Sequence, residues 1–113
     1  MRVSVKFVVA AAHFLPNYEG KCKNLHGHNY MIRLHCEGVP DPKTGMVIDF
    51  HEVEAAFKPV FEAVDHKLLN DILPNPTAEL FAMWVWRQTA PKLHSLRLVE
   101  VDEMDGYTVS YSG

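Results

Sequence analysis

Cysteine is scarce in this sequence, with two residues, Cys22 and Cys36, in a chain of 113. A secreted disulfide framework at this length normally carries a larger even set, so free thiols in a reducing, cytoplasmic setting are expected. Charge of one sign is also lacking. The formal net charge of -3 gives no electrostatic reason to expect nucleic acid or an anionic membrane as partner. Long apolar runs are missing as well. Phe7 to Ala12 makes a run of six residues, too short to cross a bilayer and shorter than the core of a signal peptide. Arg2 and Lys6 give it the look of a leader, but a strand is the expectation. With 48% hydrophobic and 22% charged residues, residues 1–113 have the composition of one globular domain around one core.

Histidine, by contrast, is plentiful, at seven residues. It is the commonest metal ligand and the usual acid or base near neutral pH. Their placement depends on the elements that carry them. Val3, Val5, Phe7, Val9, Ala11 and His13 share one parity and predict a strand with one face on a core. Pro16 to Asn24 has loop chemistry. His28, Tyr30, Ile32, Leu34 and Cys36 predict the covered face of a second strand, opposite Met31, Arg33, His35 and Glu37. A turn at Pro40–Gly45 precedes a short third strand, Met46–Ile48. Asp49, with Glu52, is placed to cap a helix whose stripe is Phe50, Val53, Phe57, Val60, Phe61 and Val64, with Pro59 inside it. Thr77 caps a second helix to about Thr89, with Leu80, Phe81, Trp84 and Val85 inward. Asp105-Gly106 marks a hairpin between Leu96–Met104 and Tyr107–Tyr111. The order predicts an α+β fold, an antiparallel four-stranded sheet with two helices on one face.

The sharpest chemical feature is His26-Gly27-His28. Residues two apart on a strand point the same way, and Gly27 leaves room for backbone or ligand. His13 ends the first strand on its apolar parity. Three imidazoles from two strands make a set able to hold zinc with a fourth position open, the mark of a catalytic site. Cys22, between Lys21 and Lys23, has two readings: a thiolate acting as nucleophile or base, or a fourth ligand closing a structural site. Cys36 reads as a packed core thiol. Asp65-His66 reads either as an acid/base pair or as an imidazolium favoured by a helix C-terminus. Glu103 shares parity with Val99 and Val101. A covered carboxylate needs a partner, which a ligand's ring NH and amino groups or a lysine or arginine would supply. His35, His51 and His94 read as surface residues, and Trp84 and Trp86 as packing.

Together, Val9-x-Ala11-Ala12-His13, Cys22-x-x-x-His26-Gly27-His28-Asn29-Tyr30, Ile48-Asp49-Phe50, Asp65-His66, Asn75-Pro76-Thr77-x-Glu79 and Glu103 resemble the 6-pyruvoyl-tetrahydropterin synthase superfamily over nearly the whole chain. The three-residue spacer between Cys22 and His26, with Ile-Asp-Phe at 48–50, looks most like the branch that makes 6-carboxy-5,6,7,8-tetrahydropterin for queuosine. Val9 departs from the aromatic residue usual there, and Met104 from the usual Thr after Glu103. The resemblance implies a tunnelling fold, trimers stacked into a homo-hexamer, and active sites between subunits. It implies 7,8-dihydroneopterin triphosphate as substrate, with acetaldehyde and triphosphate released. By position, His13, His26 and His28 would hold Zn²⁺, and Cys22 would accept a proton. His66, oriented by Asp65, would act as acid/base with Glu103, while Glu103 and Thr77 would bind the pterin. The pyruvoyl-forming lyase and a non-catalytic zinc-binding module are the alternatives.

Overall fold

Alternating apolar side chains build the two longest strands. In a computed structural model describing residues 1–113, β1 (Arg2–His13) and β2 (His26–Glu37) run antiparallel in unbroken register from Arg2 opposite Glu37 to His13 opposite His26. The parity read from the sequence is the covered one. Val9, Ala11 and His13 of β1 and Tyr30, Ile32, Leu34 and Cys36 of β2 are buried. Val9, where the family pattern has an aromatic residue, is a fully buried core position.

Helix α1 (Phe50–Val64) starts at Asp49, whose side chain accepts the His51 N–H at 2.8 Å. Glu52 makes no side-chain bond in return, so the cap is single rather than reciprocal. The helix continues through Pro59, which lies on its exposed side. Val53, Ala56, Phe57, Val60 and Val64 form the buried stripe, and Phe57 stacks on Phe7 with ring centroids 4.0 Å apart. Burying such a ring stabilises by roughly 1.5–3 kcal/mol. The stripe is narrower than expected, because Phe50 and Phe61, both along one edge of it, stay exposed. Helix α2 (Ala78–Thr89) begins where Thr77 accepts the Leu80 N–H at 3.2 Å. Phe81, Ala82, Val85 and Thr89 face inward, and Leu80 is exposed instead.

The sheet has five strands, one more than expected, in the order β3-β1-β2-β4-β5. The additional one, β3 (Lys67–Leu68), pairs parallel with β1 at Ala11 and Ala12. It makes the sheet mixed at that edge. β4 (Leu96–Met104) lies antiparallel to β2, and β5 (Tyr107–Tyr111) returns after Asp105-Gly106, where Gly106 takes a positive φ of 88°. Met46–Ile48 forms no strand. Asp41 gathers the Lys43 and Thr44 N–H groups on its carboxylate and the Gly45 N–H on its carbonyl, and the chain turns there without finding a strand partner.

Both helices pack on the same face of the sheet. The opposite face carries Lys6, Val8, Met31, Arg33 and Glu100, and no helix lies on it. His35, expected at the surface, is only 9% exposed there. Ser4 on β1 bonds its Nδ1 at 2.6 Å, and Glu100 on β4 stands 3.4 Å from its Nε2. Cross-strand neighbours, not a covering layer, hide it. No helix is long and apolar enough to cross a membrane.

Candidate metal centre and active site

The β1–β2 register sets His13 and His26 opposite each other and brings His28 alongside. Ring centroids are 4.5 Å apart for His13 and His26, 5.1 Å for His13 and His28, and 4.9 Å for His26 and His28. One nitrogen from each lies within 4.8 Å of the others. His13 Nδ1 lies 2.8 Å from the Pro76 carbonyl and His26 Nδ1 lies 2.7 Å from the Asn24 carbonyl. A carbonyl can only accept, so both Nδ1 atoms carry the proton and donate. Both Nε2 atoms are then lone-pair donors, and they face each other at 3.0 Å. Two lone pairs so placed repel unless a proton or a cation lies between them.

His28 adds the third donor. Its Nε2 is buried and has no hydrogen-bond partner, the nearest carboxylate oxygen being Glu103 Oε1 at 3.8 Å. Burial lowers its pKa against the opposing pull of Glu103, with His13 and His26 adding to the lowering. A neutral imidazole is what a metal requires. Zn–N bonds of about 2.0–2.1 Å in tetrahedral geometry place nitrogens roughly 3.3 Å apart, close to the 3.0 Å between the His13 and His26 Nε2 atoms, with His28 within 4.8 Å. The donor set therefore fits a divalent metal of the zinc class. Cys22 is outside this cluster of donors.

Glu103, on the covered parity of Val99 and Val101, sits at a local irregularity. Along the β4–β5 ladder Asp102 faces Thr108 and Met104 faces Tyr107, so Glu103 is the extra residue of a bulge. Bulges re-aim side chains beside functional sites. Glu103 also lines a cleft of about 540 Å³ with Leu15, Tyr18, Thr77, Glu79 and Tyr107. Met104, the other departure from the family pattern, points outward and is 51% exposed. Tyr30 lies behind the histidines, fully buried, and burial together with Glu103 pushes its phenol far above the ordinary range.

Cys22 sits in a single 3₁₀ turn, Lys21–Lys23, as a half-buried free thiol. Its carbonyl accepts the Leu15 N–H at 2.8 Å and closes the loop at its base. Asp65 and His66 are at the β1 edge, where His66 and His28 line one open groove. Asp65 accepts the Ala10 N–H at 3.0 Å, and the His66 N–H returns to the Ala10 carbonyl at 2.6 Å. His66 has a φ of 57°, a conformation costly for a residue with a Cβ. Its Nδ1 lies 2.8 Å from Asp65 Oδ2, which leaves Nε2 outward on a side chain 81% exposed. The Ala10 N–H first, and then His66, hold the Asp65 carboxyl below its usual range. Within one chain, neither residue bonds Cys22 or Glu103.

Three contributors were not read from the sequence. The Pro76 carbonyl could not be, since a backbone acceptor leaves no residue-type signal. Tyr18, in the loop after β1, and Tyr107, at the start of β5, line the cleft, and only their position beside other motif residues hints at it.

The chain matches the family model "6-pyruvoyl tetrahydropterin synthase" over residues 2–113. It is 37% identical over 106 residues to a 6-carboxy-5,6,7,8-tetrahydropterin synthase of Synechocystis sp., covering 84% of this chain and 82% of that one. It is 32% identical over 101 residues to a 6-pyruvoyl tetrahydrobiopterin synthase of Dictyostelium discoideum, covering 83% and 75%. The solved 6-pyruvoyl tetrahydropterin synthase of Caenorhabditis elegans superposes with a TM-score of 0.93 at 25% identity, over 100% of this chain and 95% of that one. Sequence, fold and histidine cluster agree: the chain belongs to the 6-pyruvoyl tetrahydropterin synthase family.

Proposed function

We propose that this protein is a zinc-dependent carbon–carbon lyase. With one water consumed, it converts 7,8-dihydroneopterin triphosphate to 6-carboxy-5,6,7,8-tetrahydropterin, acetaldehyde and triphosphate, in queuosine biosynthesis. One observation carries the reading. Three imidazoles converge with their Nε2 atoms uncommitted, beside the Glu103 carboxylate. The name of the Synechocystis relative supports the branch.

Zn²⁺, when bound, supplies Lewis-acid polarisation of the oxygens on the substrate side chain. Everything else falls to the chain. His13, His26 and His28 hold the ion through Nε2, with the first two kept in that tautomer by Pro76 and Asn24. Cys22, a half-buried free thiol, takes a proton from the substrate. Asp65 fixes His66 Nδ1, so that Nε2 is the atom exchanging protons. Glu103 and Thr77 bind the pterin, Glu103 accepting from its ring NH and amino group. His66 faces solvent in the single chain. It therefore serves a neighbouring chain's pocket, relaying protons with Glu103 in a homo-hexamer of two trimers. The sheet face without helices is the surface available for such assembly.

Incubating the protein with 7,8-dihydroneopterin triphosphate should release acetaldehyde. Triphosphate release without acetaldehyde would instead make it the pyruvoyl-forming lyase, the reading favoured by the Dictyostelium and Caenorhabditis relatives. A non-catalytic zinc module would need Cys22 among the ligands, and the cluster does not include it.

A further inference from the structure

His13 is the ligand with the most elaborate support. It is completely buried, and two oxygens converge on its Nδ1: the Pro76 carbonyl at 2.8 Å and the Tyr30 phenol at 3.2 Å. The Nδ1 proton is thus shared between two acceptors in a three-centre bond. His26 has only the Asn24 carbonyl for the same purpose.

Tyr30 also touches the other side of the cluster. Its ring stands edge-on to His13 at 6.0 Å and 88°, to His28 at 5.5 Å and 75°, and to Phe81 at 5.2 Å and 74°. It is wholly buried, opposite Val9 and against Phe81, where packing alone would call for phenylalanine. Burying a hydroxyl is unfavourable unless it is bonded, and the one side chain this hydroxyl meets is His13.

Resting on the reading of the three histidines as a metal centre, we propose that Tyr30 is a positioning residue of that centre. Its phenol oxygen fixes the rotation of the His13 imidazole. Its ring, braced by Phe81, holds His13 and His28 at the mutual angle that lets both Nε2 atoms address one ion. Partners of this kind, one bond removed from the metal, commonly govern affinity by tenfold or more.

The test uses the full chain and zinc alone, in competition with a chromophoric chelator at fixed pH, together with the visible spectrum of the Co²⁺-loaded protein. Tyr30→Phe removes the oxygen and keeps the ring. It should weaken zinc binding about tenfold and shift the cobalt bands. Phe81→Leu is the packing control. It leaves the oxygen in place and should lower the unfolding temperature of the apo protein more than Tyr30→Phe does, with a smaller loss of zinc affinity. Wild-type affinity and an unchanged cobalt spectrum in Tyr30→Phe would overturn the proposal. So would zinc affinities that simply follow unfolding temperature across the two variants. A wild type that takes up no zinc would overturn the metal-centre reading itself, and this proposal with it.

Discussion

Truncating the caps of the two helices should separate stability from metal binding. Thr77 accepts the Leu80 N–H at 3.2 Å and Asp49 accepts the His51 N–H at 2.8 Å. Loss of either cap costs about 1 kcal/mol, which in a domain of this size lowers the unfolding temperature by about 4 °C. The consequences for the metal differ. The residue before Thr77 is Pro76, whose carbonyl holds the His13 proton. When the first turn of α2 frays, that carbonyl loses its anchor. Nothing near Asp49 touches the histidines. Thr77→Ala and Asp49→Ala should therefore destabilise the apo protein to a similar extent in calorimetry. Only Thr77→Ala should also weaken zinc in chelator competition, toward the about tenfold loss typical when an outer partner of a ligand is displaced. Thr77→Ser, which keeps the oxygen, should restore both. Equal effects of the two alanine variants on zinc affinity would refute the mechanical link through Pro76.

Two more outcomes follow from burial and charge. Iodoacetamide should alkylate the native protein once, at half-buried Cys22. Cys36, fully buried and with burial raising its thiol pKa, should react only after unfolding. Two adducts on the native chain, counted by mass spectrometry, would contradict this placement. In acid, stability should fall below about pH 4, the ordinary carboxylate range. Asp65 is held down by the Ala10 N–H and His66, and Asp102 by Thr108 and Arg33. A carboxylate with a depressed native pKa stabilises above its unfolded pKa, and that contribution is lost as pH falls through the native value. Asp65→Asn should flatten the acid limb of urea unfolding midpoints against pH; a limb as steep as wild type would count against the Asp65–Ala10 bond.

Much of the fold was legible because side-chain parity and cap residues are local signals. The β1 and β2 faces, the Asp49 and Thr77 caps and the Asp105-Gly106 hairpin all appear where local chemistry puts them. What failed depends on distant partners. Lys67–Leu68 becomes a strand only because β1 lies beside it, and Met46–Ile48 stays out of the sheet because no strand does. Parity gave His35 its face correctly but could not reveal Ser4 and Glu100 closing around it. The histidine cluster was legible for a related reason. His26 and His28 share a face by spacing alone, and His13 joins them through the register of a neighbouring strand. Parity also put Glu103 on the covered face, whereas the bulge it occupies and the backbone carbonyl that supports His13 come from the fold. Neither leaves a mark in residue types.

The most direct test of the account compares purified wild type with Cys22→Ala for zinc content and for acetaldehyde released from 7,8-dihydroneopterin triphosphate. The account predicts one zinc per chain in both proteins and acetaldehyde from wild type alone. Zinc lost from the variant would make Cys22 a ligand and contradict the three-histidine centre. A zinc-loaded wild type that releases no acetaldehyde would contradict the carbon–carbon lyase.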